Sequence, residues 1–165
     1  MNYKLNTNIR VSIGIIGWLI LVFCFLYVGA WFISPGSYSR AEIYELEISK
    51  DLLIQIIKEV KSENPDLDLP QITTPQGIYL EEGKHGKSDH WHHIYFYYPD
   101  KRQVIHTWVR QNTRTTTNFA FVGVDNGSTI GNWTNVNDSF WWWNNRPLKI
   151  EFEKRILEKI EAKIK

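Results

Sequence analysis

The sequence predicts an α+β domain carried behind an amino-terminal membrane-spanning helix. Three observations lead there. Residues 11–33 form an uncharged apolar run in which Ser12 is the one clearly polar position. A capped, apolar-striped stretch follows over residues 39–62, as an amphipathic helix requires. Residues 77–124 then alternate short aromatic and β-branched runs with turn signals, the pattern of an antiparallel meander.

At about 1.5 Å per residue, a helix over 11–33 matches the roughly 30 Å hydrocarbon core of a bilayer. A helix also satisfies its own backbone groups, which lipid cannot do. Lys4 and Arg10 precede the run, and Val28-Gly29-Ala30 resembles a signal-peptidase site. The run exceeds the length of a cleaved signal core, and Trp31 and Phe32 extend its apolarity as interfacial anchors. An uncleaved anchor is therefore expected. The slight basic bias of its leading side places the amino terminus inside and the rest of the chain outside the cytoplasm.

The expected organisation is a basic tail (1–10), the span (11–33), a linker (34–38) and one domain (39–165). Arg40 onward carries 17 Lys and Arg against 18 Asp and Glu. That balance gives no basic footprint for nucleic acid. The only cysteine, Cys24, lies in the apolar run, which leaves the domain without disulfides or thiol chemistry.

Ser39-Arg40-Ala41-Glu42 fits a capping box and opens the 39–62 helix. Ile43, Leu46, Leu53, Ile54, Ile56, Ile57 and Val60 fall on one stripe of it, with Ile48 and Leu52 outside. Asn64, Pro65 and Pro70 end that helix and bracket a loop. Four strands are expected at 77–82, 91–98, 103–110 and 115–124, with Asp125-Asn126-Gly127 as a turn. A hairpin closed at Pro99-Asp100-Lys101-Arg102 sets Tyr98 opposite Gln103. One face then holds Ile94, Phe96, Ile105, Val109, Phe119 and Phe121, the side the helix should cover. The other face holds Trp91, His93, Tyr95, Tyr97, His106, Trp108 and Arg110, the half-solvated side of the sheet. Pro147 suits the first turn of a terminal helix carrying Phe152, Ile156, Leu157, Ile160 and Ile164, although 148–152 also alternates like a fifth strand.

Chemistry-bearing motifs are sparse. Gly86-Lys87-Ser88 is the tail of a phosphate-binding loop, but position 81 is Glu where the motif needs Gly, and a strand follows instead of a helix. His85, His90, His92 and His93 crowd together near Asp89, with His106 on the next strand. Their spacing matches no established zinc pattern, and no cysteine completes a set. Ser88-Asp89-His90 are sequence neighbours on an extended chain, so they point apart and do not form a triad. No catalytic activity, cofactor or metal is expected.

Tryptophan is the informative excess. Six lie beyond the apolar run: Trp91, Trp108, Trp133, Trp141, Trp142 and Trp143. Three in succession cannot all enter one core: a strand sends the middle one opposite, and a helix fans them over about 200°. At least one is therefore exposed, unless the three cap the sheet by stacking on Trp91 or Trp108. Trp91, Tyr95, His106, Trp108, Trp141, Trp142 and Trp143 are the expected contact surface for a protein partner, with Trp31 and Phe32 at the lipid interface. An immunity-type inhibitor or accessory subunit suits such a build. The same aromatics would alternatively stack on envelope polysaccharide, as a binder or modest hydrolase, or wedge into headgroups.

Overall fold

A computed structural model describes residues 7–32, 38–70, 80–84, 86, 90–126 and 131–165, with the side chains of α1 described from residue 11 to residue 30. The chain divides into two compact units, residues 1–39 and 40–165. The first holds the apolar helix α1 (Thr7–Phe32). Its central part, Val11–Ala30, has a mean hydropathy of 2.6 and contains no buried residue. Phe23 and Phe25 are 71% and 76% exposed, a cost that apolar surroundings would remove.

The second unit opens with a strand where the sequence suggests a helix. Residues Glu42–Leu46 form β1, and helix α2 runs only from Lys50 to Glu63. The capping box at Ser39 and Glu42 therefore caps nothing: Glu42 instead accepts from Lys149 Nζ at 3.0 Å and from Asn137 Nδ2 at 3.1 Å. Glu-Ile-Tyr-Glu-Leu satisfies both periods, and pairing with β4 decides for the strand. Tyr44 turns inward and stacks on Phe152 at 5.7 Å, while Ile43, assigned to the helix stripe, is exposed. Ile48, outside that stripe, is buried in the turn before α2, where its carbonyl accepts from Thr117 Oγ1 at 2.7 Å. From Leu53 onward the stripe holds, with Leu53, Ile56, Ile57 and Val60 all buried.

The remaining strands are β2 (His92–Tyr98), β3 (Gln103–Gln111), β4 (Thr117–Asp125) and the short β5 (Trp133–Asn135). All pairings are antiparallel, in the order β1-β4-β3-β2, and β5 pairs with β4 beyond the end of β1. The meander β2-β3-β4 is as expected, and Tyr98 does pair with Gln103. Of the edge strand assigned to 77–82, residues 80–82 are irregular and Gly83 makes a single bridge to His93, while 77–79 lie outside the described residues. Among the described residues β1 is the fourth strand of the sheet, beside β4.

The expected core face is the one the helices cover. Ile94, Phe96, Ile105, Val109, Phe119 and Phe121 pack in one cluster with Leu53, Ile57, Val60, Phe152, Ile156 and Ile160. The terminal helix starts at Trp142, five residues before Pro147, so 148–152 is helix and not strand. It comprises α3 (Trp142–Phe152), a π-turn (Glu153–Leu157) and α4 (Glu158–Ile164). Residues four apart drift about 40° per step around an α-helix. The wider π-turn takes up part of that drift and keeps Phe152, Ile156 and Ile160 on one buried line.

Candidate functional site

Two aromatic assemblies stand apart from the core. The first lies on the sheet face opposite the helices. The register sets His93 against Trp108 and Tyr95 against His106, so alternation brings all four to one side. Tyr95 stacks on His106 at 5.0 Å, and Trp91 meets Trp108 edge-on at 6.4 Å with the Arg110 guanidinium 5.9 Å over the Trp91 ring.

This face is more closed than a half-solvated sheet. Tyr95, Trp108 and His93 are only 3–4% exposed, whereas Trp91 and His106 are half-buried and Arg110 is exposed. Part of the closure comes from Trp133, whose ring lies 5.4 Å from His106 and 6.2 Å from Tyr95. β4 has an irregularity here: pairing passes from His106↔Gly123 to Thr107↔Phe121 and leaves Val122 opposite no β3 residue, its carbonyl accepting instead from the Val136 N–H at 3.0 Å. That shift sets Gly123 under β5, where an added Cβ would stand 2.4 Å from the Thr134 carbonyl oxygen. Only a residue without a side chain admits β5 so closely. Sequence reasoning missed this role of Trp133, because it depends on a bulge and a three-residue strand.

His93 Nδ1 and His106 Nε2 lie 2.9 Å apart, one ring donating and the other accepting. One ring's N–H points at the other's lone pair, so the two imidazoles form a hydrogen-bonded dyad. Among the described residues no three His, Cys, Asp or Glu side chains converge. His92, at the start of β2, has its pKa lowered by burial and then by the nearby Lys50 charge. His85, Lys87, Ser88 and Asp89 lie outside the described residues.

The second assembly is a ridge at residues 140–143. Trp141 and Trp143 stack at 4.8 Å, Trp142 meets Trp143 edge-on at 6.0 Å, and Phe140 meets Trp141 edge-on at 5.1 Å. The three indoles pack on one another and remain 53%, 62% and 51% exposed. Together they offer on the order of 400 Å² of aromatic surface, a patch of the size that marks interaction sites. Buried Asn145 fixes the loop beneath them: its Oδ1 accepts from the Ser139 N–H, and its Nδ2 donates to the Ser139 carbonyl, both at 3.0 Å. Asn144 Nδ2 adds a bond to Ser139 Oγ at 3.2 Å.

Trp31 and Phe32 close α1, and their side chains fall outside the described ones. Comparison with protein-family models, with curated proteins and with solved structures returned no match.

Proposed function

We propose that the chain is a single-pass, membrane-anchored binding module that recognises a protein partner and catalyses no reaction. In this reading α1 is an uncleaved signal anchor with its amino terminus inside, and residues 40–165 work outside the cytoplasm. The supporting observation is the Trp91–Arg110 pair: a half-buried indole beneath a solvent-facing guanidinium, backed edge-on by buried Trp108. Trp and Arg seated on a rigid, desolvated base is the composition of an interface hot spot. His106 extends the same rim, and Tyr95 supports it from below.

The test is affinity purification of the full-length chain from native membranes, with bound proteins identified by mass spectrometry. A defined partner should accompany the wild type and be lost with Arg110→Ala, whose side chain is exposed and whose removal leaves the fold intact. Retention of the same partner by both Arg110→Ala and Trp91→Ala would refute this surface. A change in tryptophan emission on adding envelope glycans, with no protein partner captured, would favour polysaccharide instead.

A further inference from the structure

We propose that the 140–143 ridge is a lipid-contacting surface that seats in the headgroup layer of the bilayer crossed by α1. This rests on the anchor reading above and separates the ridge from the partner-binding rim.

Chain connectivity carries the inference. The chain enters the sheet domain at Arg40, and that residue is fixed beside the ridge: its guanidinium pairs with Asp138 at 2.6 Å, and its carbonyl accepts from the Asn137 N–H at 3.3 Å. Trp141 follows Asp138 by three residues. Only residues 33–39 separate Phe32 from Arg40, a leash of at most about 29 Å fully extended. A leash that short keeps the edge around Arg40, to which the ridge belongs, within reach of the membrane surface.

The composition of this edge agrees. Indoles are enriched at the bilayer boundary, where an apolar ring and a polar N–H are both accommodated. Arg146, one turn beyond Trp142, is exposed, and among the described residues it has no ion pair. A guanidinium in that position matches the phosphates of the headgroup layer. Ile150, 49% exposed, continues the same side of α3 by one further turn. The ridge is also rigid, because Asn145 clamps Ser139, so little side-chain order is lost when lipid covers it.

The experiment uses the full chain with Cys24→Ser and Asn144→Cys, nitroxide-labelled at position 144 and reconstituted in phosphatidylcholine–phosphatidylglycerol (3:1) vesicles. Spin-label accessibility to oxygen and to a nickel chelate is compared. Protection from the chelate, together with gain of oxygen access, is expected in these vesicles. Combining Trp141→Ala, Trp142→Ala and Trp143→Ala should return the label to aqueous values while the protein still floats with the vesicles. A chelate-accessible label on protein that floats would overturn the lipid assignment and leave the anchor standing. Protection in native membranes but not in pure lipid would mean that a protein covers the ridge, and would also overturn it. Failure to float would remove both readings.

Discussion

Replacing Asn145 by Ala removes two hydrogen bonds that close the 139–145 loop under the indoles. Each is worth about 0.5–1.5 kcal/mol net, and the exposed polar groups of half-buried Ser139 regain some water. The expected loss is about 2 kcal/mol, which lowers the Tm of a domain this size by roughly 6–10 °C. The Trp141–Trp143 stack should loosen with the loop, so near-ultraviolet circular dichroism should weaken before the main transition. Asn145→Asp keeps the acceptor for the Ser139 N–H and loses the donor to its carbonyl, so its Tm should fall between those of wild type and Ala. The assay is thermal unfolding of the full chain in detergent micelles, followed at both far- and near-ultraviolet wavelengths. An Ala variant within about 1 °C of wild type, with the aromatic signal unchanged, would refute the claim that Asn145 orders the ridge.

Four further outcomes are expected. Gly123→Ala should cost about 1–3 kcal/mol, because its Cβ meets the Thr134 carbonyl, and Trp133 should leave His106 with a change in tryptophan emission. Tyr98→Phe should be neutral or raise the Tm, since the buried Tyr98 hydroxyl has no hydrogen-bond partner among the described residues. Glu82→Ala should cost about 2–3 kcal/mol by chemical denaturation, because Glu82 both pairs with the nearly buried Lys61 ammonium and accepts from the Tyr95 N–H at 3.0 Å. Tyr44 has its pKa raised by burial and then by the Glu153 carboxylate, so its stabilising contribution is complete below the ordinary value near 10 and is lost as pH rises through the folded value. Alkaline titration at 295 nm should show that phenol ionising only with unfolding, and Tyr44→Phe should flatten the loss of stability above pH 10.

The hairpin was readable because Pro99 and the residues around it set the register, and one register assigns every side chain of β2 and β3 to a face. The buried half of α2 was readable for the analogous reason at helical period. Residues 42–46 were not, since Ile43 and Leu46 also fit a helix stripe and the Ser39-Glu42 pair imitates a cap. Only pairing with Phe119 and Phe121 across β4, a contact distant in sequence, settles the strand. At the aromatic sites, the dyad of His93 and His106 follows directly from strand alternation. The burial of Tyr95 does not, because Trp133 reaches its place through the bulge at Val122 and a bare Gly123. Exposure of the ridge follows from three consecutive tryptophans. Their stacking on one another, instead of on Trp91 or Trp108, depends on a helix that begins five residues before its proline.

The central claim is that α1 remains attached and holds the domain to lipid. Alkaline carbonate extraction of native membranes, followed by ultracentrifugation and intact-mass measurement of the protein in each fraction, tests it most directly. The account predicts full-length chain in the pellet with residues 1–39 still in place. Full-length chain in the supernatant, or a mature form cut after Ala30, would contradict it.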